Sequence, residues 1–457
     1  MSKELSLNDI PEHFPAPPLD QFNYALKRLG DMSMRLVIDL AGRLDEARLA
    51  RACIAAIRQA PVLGSRFVEA ESPVWEILLS LNIEDLVQVT LSQDPDGDLM
   101  KTLTGSLDPG RGPQVRLSLI RGERDILCIT VSHAAMDAHG LLAFSALLAM
   151  LYRDEHLGDT IIPERSDRSL TPLLAGLSPG TLERLARPAE KFVAGWKFPE
   201  TGAPGTERRY AIRTLPASRL IAIRGRGREY GATVNDILLA AYYTALREVI
   251  NPENGIRVQI LVTIDLRRYF SGEAGMGREE REGFTGPGDR DFQATTRVHA
   301  LARTIANRSV AFPLLVPVAE RTFGDTIVLM HALMREKKEH YPGLASALET
   351  EAYGPGNFSK FQDRVRERES ASAEIRSEPP FIGNIGVVPT EVYAFAPDLP
   401  VNNAFVAGII VNPPGLTFGI TTCNGMLTLS IGYCSPAITE ESVEGLLDRI
   451  LSCLPSG

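Results

Sequence analysis

Apolar and polar positions alternate with a period of two in "MRLVIDL" (residues 34–40), which puts Met34, Leu36, Ile38 and Leu40 on one face of a predicted β-strand. The period then changes. "DEARLARACIAAIRQA" (45–60) carries its apolar residues at helical spacing. Asp45 and Glu46 fall in its first turn, where they complement the helix dipole, and Pro61 ends it. "PQVRLSLI" (113–120) and "DILCITV" (125–131) are apolar or alternating stretches joined by the short polar "RGER", a pattern that predicts a β-hairpin. Residues 140–153 predict a buried helix. They contain the longest apolar run, "LLAFSALLAMLY" (141–152), whose 12 residues fall short of the ~20 that span a bilayer.

Residues 154–206 are rich in Pro, Gly and charge and predict a connecting stretch with one short helix. The boundary between the two halves is placed at 181–206, with a first lobe over 1–180 and a second over 207–457. The second half resumes with the strand "RYAIRTL" and the long helix "TVNDILLAAYYTALREVI" (233–250), for which Thr233 or Asn235 is the candidate cap. "RVQILVTIDLRR" (257–268) predicts an apolar strand ending near Arg267. The glycine-rich 271–292 stretch predicts a mobile loop. Strands are predicted at 379–389, 405–415, 416–425 and 426–434, and an amphipathic helix at 439–454. Both halves follow a strand–helix order, compatible with two similarly built lobes.

Composition narrows the function. The chain has 457 residues, 44% of them hydrophobic, enough for a sizeable core in two domains. A net charge of -9 and a pI of about 5.5 argue against nucleic acid, which calls for a concentrated basic surface. Cys53, Cys128, Cys423, Cys434 and Cys453 are an odd set with no CxxC pair, so they read as reduced thiols in a cytosolic protein. The opening "MSKELSLNDIPEHFPAPPLD" has no apolar core of a secretory signal.

The candidate chemistry sits in "CITVSHAAMDAHG" (128–140), where a buried strand runs into His133 and Asp137 follows four residues later. A neutral imidazole can take a proton from a hydroxyl or amine near neutral pH. A carboxylate nearby could orient the ring or anchor the loop through a cation elsewhere. The small residues that follow, Gly140 among them, lead into a helix N-terminus whose N–H groups could stabilise an oxyanion. A metal site would need a third ligand, and His139, six residues from His133, is poorly placed to be one. Ser132 neighbours His133 in the strand and points to the opposite face, and no GxSxG elbow is present. An ordinary turn remains the bland alternative.

"SHAAMDAHG" resembles the HxxxD signature, often HHxxxDG, of the condensation-domain and chloramphenicol-acetyltransferase-like acyltransferases. Other segments are similar to that family in the same order: "LDEARLARACIAAIRQAPVLGSRF" (44–67), "TVNDILLAAYYTAL" (233–246), "VTIDLRR" (262–268) and "GNIG" (383–386). The resemblance implies a mixed α/β fold of two chloramphenicol acetyltransferase-like lobes, each a mixed sheet flanked by helices, with a tunnel between them. It implies that His133 is the catalytic base midway along the tunnel, and that Asp137 is structural and pairs with Arg267. A donor thioester on coenzyme A or a carrier protein would enter from one face, and an alcohol or amine acceptor from the other. No metal or redox cofactor is implied; coenzyme A or a phosphopantetheine thioester is a co-substrate.

Ser132 replaces the first histidine of HHxxxDG, and Ala138 replaces the glycine after the aspartate. No "DFGWG" segment and no carrier-protein serine motif occurs, so the enzyme is expected to stand alone. Two other readings accompany this one: a condensation fold kept as a non-catalytic binding or docking module, and amide-forming condensation on peptidyl carriers. Three minor groups complete the set. Arg224, Arg226 and Arg228 in "IRGRGREYG" could grip the phosphates of coenzyme A or pantetheine, or form a solvated surface. Asn384 could face the tunnel and meet the acceptor or thioester carbonyl, or stabilise a turn. Asn235 and Asp236 serve the start of their helix, and "RVRERES" (364–370) reads as a solvated helix face.

Overall fold

The computed structural model describes residues 12–158, 167–185, 197–269, 290–354 and 356–457. It is a mixed α/β molecule of two lobes, each built on its own sheet. The first sheet has five strands in the order Val401–Ala407, Ser33–Leu40, Asp125–Ser132, Val115–Arg121, Val87–Leu91. The predicted hairpin is present: Val115–Arg121 and Asp125–Ser132 pair antiparallel, from Val115 opposite Val131 to Arg121 opposite Asp125. Val87–Leu91 joins parallel to it, so the sheet is mixed.

The Ser33–Leu40 strand is buried on both faces rather than one. Met34, Leu36, Ile38 and Leu40 join the core under the helices Glu46–Gln59 and Ala138–Arg153. Val37 packs the opposite way against Tyr210 and Phe405, residues of the second half of the chain. The alternation of apolar residues thus records only the better-covered face. Ala138–Arg153 is buried along nearly its whole length. Among the described residues no helix is long and apolar enough to cross a membrane.

The second sheet has six strands in the order Ser309–Pro317, Arg257–Asp265, Phe381–Val388, Thr417–Cys423, Met426–Ser435, Glu207–Leu215. Phe381–Val388 runs parallel to both of its neighbours and the other pairs are antiparallel. Pro313 and Pro317 lie in the edge strand, where a missing backbone donor costs least. The helices Ala217–Tyr230, Val234–Ile250, Phe323–Glu339 and Glu440–Cys453 supply the core of this lobe. Thr233 caps Val234–Ile250 in a capping box whose other member is Asp236.

The lobes are not two consecutive stretches of chain. Strand Val401–Ala407 leaves the second half and pairs antiparallel with Ser33–Leu40, so the division 1–180 against 207–457 misassigns this strand. A hydrogen bond from a buried arginine also ties the lobes. Arg35 bonds Asp31 and donates to the Tyr210 hydroxyl at 3.1 Å. The connecting region holds two short helices, Thr171–Ala175 and Pro179–Leu185, where one was expected. Residues 186–196 of the linker and 270–289 of the glycine-rich loop lie outside the described residues. The end of that predicted loop belongs to the helix Arg290–Thr304.

Candidate active site

His133 directly follows strand Asp125–Ser132, and its backbone N–H donates to the Met32 carbonyl at 2.8 Å. Strand and bond together fix where the side chain begins. The ring is then held by Asn307, which sits between helix Arg290–Thr304 and strand Ser309–Pro317. His133 Nδ1 lies 3.2 Å from Asn307 Oδ1.

The Asn307 amide is fully buried, and its orientation follows from its other side. Nδ2 stands 2.9 Å from each of three acceptors: Asp20 Oδ1, the His133 carbonyl and the Ala134 carbonyl. The two backbone carbonyls accept in every protonation state, so the NH₂ group must face them. Oδ1 must then face the ring, and Nδ1 must carry the proton that is donated to it. In the neutral ring Nε2 is consequently the bare nitrogen. It is the nitrogen left for the cavity of about 490 Å³ that His133 lines.

A second buried layer supports the amide. Asp20 accepts from Trp75 Nε1 at 3.0 Å and from Arg168 Nη2 at 2.8 Å, as well as from Asn307. Burial pushes the Asp20 carboxyl up, and the Arg168 guanidinium opposes that push. Arg168 also donates to the carbonyls of Ile305 and Ala135, tying the His133 loop to the segment that carries Asn307.

Asp137 does not orient the ring. It caps helix Ala138–Arg153 by accepting from Gly140 N at 2.8 Å, accepts from Arg308 N at 2.7 Å, and pairs with Arg267 Nη1 at 2.9 Å. The ion pair is buried, with Asp137 1% and Arg267 10% exposed. Burial, the largest single influence, acts to raise the Asp137 carboxyl, but the charge and hydrogen bond of Arg267, with His139 and the Gly140 N–H, together hold the group well below the usual carboxylate range. Arg267 lies in a short 3₁₀ turn just past strand Arg257–Asp265, and it also donates to Asp265 and to the carbonyls of Thr304 and Ala306. Asp137 and Arg267 are therefore structural partners that bolt the His133 loop to the second lobe.

Several sequence candidates fall elsewhere. Gly140 is not an oxyanion donor, because its N–H is committed to Asp137. It is glycine for space: a Cβ there would stand 2.9 Å from Met136 Cβ and 3.1 Å from the Ala306 carbonyl oxygen. Ala138 opens the helix without a left-handed backbone, so glycine is not needed at that position. His139 Nδ1 lies 3.7 Å from Asp265 Oδ2 and is not on the cavity wall. Asn384 does not line the cavity; it donates to Asn235 at 3.1 Å and accepts from Gly386 N at a bulge between adjacent strands. Arg224, Arg226 and Arg228 lie exposed on helix Ala217–Tyr230 and do not line the cavity; Arg226 pairs with Glu229. Conversely, the 364–370 charge run is not only a solvated face, since Arg364, Glu367 and Arg368 border the cavity.

No protein-family profile matches the sequence, and no curated protein does. Solved structures do. The first condensation domain of the CDA synthetase superposes with a TM-score of 0.64 at 16% identity, covering 96% of this chain and 95% of that one. Polyketide synthase associated protein 5 from Mycobacterium tuberculosis gives 0.62 at 17% identity, covering 97% and 100%. The chain has the condensation-domain fold. The epimerization domain from the third module of tyrocidine synthetase B shares it too, with a TM-score of 0.59 at 13% identity, covering 99% and 97%. Identities this low carry the condensation fold and not a reaction.

A smaller cavity of about 300 Å³ lies beside Ser132 and Ala134, the residues on either side of His133, and Asn23 borders both cavities. The His133 loop thus has open space on two sides. Sequence reasoning missed Asn307, Asp20 and Arg168. The only local signal for Asn307 was a lone polar amide in "IANRSV", just before an apolar strand.

Proposed function

We propose that this protein transfers an acyl group from a thioester to an alcohol or amine, with His133 as general base. The observation that carries the reading is the Asn307 clamp, since it leaves Nε2 bare on a ring whose residue lines the cavity. The acceptor places its O–H or N–H on Nε2, and the proton moves to the ring as the acceptor attacks the thioester carbonyl. The ring, now doubly protonated, keeps Nδ1–H on Asn307 Oδ1. When the tetrahedral intermediate collapses, the carbon–sulfur bond breaks and the leaving thiolate takes the proton back from Nε2. Atoms and charge balance without a metal or redox step. Proton transfer of this kind contributes ~10²–10⁴-fold, and holding both substrates against one ring contributes more.

The donor is expected on coenzyme A or on a carrier protein. Thiol release by the purified protein, assayed with acyl-coenzyme A and acyl-carrier donors against alcohols and amines, tests the reading. Turnover that depends on His133 supports it. A complete lack of turnover with every donor class would leave a binding module of the same fold. Competition by free coenzyme A separates a diffusing donor from a protein-bound one.

A further inference from the structure

The 490 Å³ cavity on the His133 side has a size typical of a small-molecule site, and its walls say what fits. Leu19, Phe22 and Leu26 face it from the first helix and the turn after it, Leu261 and Phe381 from neighbouring strands, and Ile375 from helix Phe358–Ile375. Apart from His133, four charged side chains reach the wall, and they balance: Arg364 and Arg368 against Glu367 and Glu378. Three of them are already engaged. Arg364 bonds Glu349 at 3.0 Å, and Arg368 Nε bonds Glu378 Oε1 at 2.8 Å while Ser372 closes on the other Glu378 oxygen. Glu367 is solvent-exposed, where water and salt screen it. The smaller cavity contrasts with this, being bordered by Lys27, Asp31, Asp108 and Arg208.

We infer that the larger chamber takes an uncharged, hydrocarbon-rich group, and that substrates carrying a free carboxylate or ammonium at that end are excluded. A dicarboxylic acyl group would have to compete with a carboxylate already on each arginine: Glu378 on Arg368 Nε and Nη2, and Glu349 on Arg364 Nη1. An aminoacyl group would bring a cation into an apolar space whose buried carboxylate, Glu378, is already taken, and an unpaired buried charge is costly. This rests on the acyl-transfer reading only in taking the chamber beside His133 as a substrate site. The hydrocarbon belongs either to the acyl chain or to the acceptor, and experiment separates the two.

Binding of non-transferable S-alkyl pantetheines of two to twelve carbons, and of 1-alkanols of the same lengths, is measured by calorimetry. One series is expected to tighten roughly four-fold per methylene until the chamber is full, then level off. A rising pantetheine series assigns the chamber to the acyl chain; a rising alkanol series assigns it to the acceptor. ω-Carboxyalkyl and ω-aminoalkyl analogues of equal length should bind at least ten-fold more weakly. Ala371→Trp, at an exposed helix position on the wall, should make the levelling-off occur at a shorter chain. Ile375→Lys, at a position 40% exposed, should remove the penalty on the carboxyalkyl analogue. Flat dependence on length in both series, or equal binding of charged analogues by the unaltered protein, would overturn the inference. None of these readings needs turnover. A length ladder with no acyl transfer therefore sinks the proposed reaction alone, and transfer without a ladder sinks this inference alone.

Discussion

Removing both members of the Asp137–Arg267 pair should destabilise the protein by less than the sum of the two single removals. The pair is buried and joins residues 130 apart in sequence. Asp137→Ala strands a guanidinium that keeps only Asp265 and two carbonyls. It also removes the helix cap at Gly140 and the acceptor for Arg308 N. Arg267→Ala leaves a buried carboxylate with two N–H donors but without its paired guanidinium, and unpairs the Thr304 and Ala306 carbonyls from the arginine. Each single substitution is expected to cost ~3–5 kcal/mol, the usual consequence of breaking a buried pair from one side. A cap alone is worth ~1 kcal/mol, so Asp137→Asn, which keeps a good capping residue, should recover about that much. The double variant should fall short of additivity by ~1–3 kcal/mol. The assay is urea unfolding of the four proteins, with the midpoint shifting and the slope held constant. Additivity within ~0.5 kcal/mol would mean that the two side chains do not interact, and the bolt between the lobes would have to be abandoned.

The same carboxyl gives a pH test. Its folded value is depressed, so its contribution is complete above about pH 4 and is lost as pH falls through the acid range toward the folded value. Asp137→Ala should flatten the acid limb of stability against pH in denaturant titrations. Asn307→Leu should lower turnover ~10–100-fold with little change in KM; nitrogen NMR of ¹⁵N-histidine-labelled protein should show His133 losing its fixed Nδ1–H form. A single protonated Nδ1 in that variant would exonerate Asn307. Gly140→Ala should reduce the unfolding temperature by several degrees, because Met136 and Ala306 leave no room for the methyl group. Replacing Arg224, Arg226 and Arg228 together by Ala should leave inhibition by coenzyme A unchanged, since they stand apart from the cavity; a marked loss of inhibition would restore the phosphate role.

What the sequence disclosed was local. The 115–132 hairpin and the helix after His133 are written in short-range periodicity and turn chemistry and were legible, and of the two candidate caps, Thr233 and Asn235, the first is the cap. Arg267 was found because it closes an apolar strand in a segment resembling a known family. Strand Val401–Ala407 was misplaced because its apolar pattern reads the same in either sheet, and only long-range pairing decides which one it joins. Asn307 lies 174 residues from His133 in a connection without periodicity, so its one local trace, a lone amide before an apolar strand, did not tie it to the ring. Asp20 was hidden for a similar reason: an acidic residue in the first turn of a short helix looks like dipole complementation, whereas this one is buried against Trp75 and Arg168. Gly140 illustrates the opposite error, since its small size suggested an exposed donor when tight packing requires it.

The central claim is that His133, presented by Asn307, is the base for acyl transfer. The most direct measurement compares thiol release by the unaltered protein, His133→Ala and His139→Ala across acyl-coenzyme A and acyl-carrier donors with alcohol and amine acceptors, after circular dichroism has shown all three folded. A loss of ~10²–10⁴-fold is expected for His133→Ala and a mild effect for His139→Ala, whose ring stands by Asp265 off the cavity wall. Unaltered turnover in His133→Ala, or a larger loss in His139→Ala, would contradict the claim.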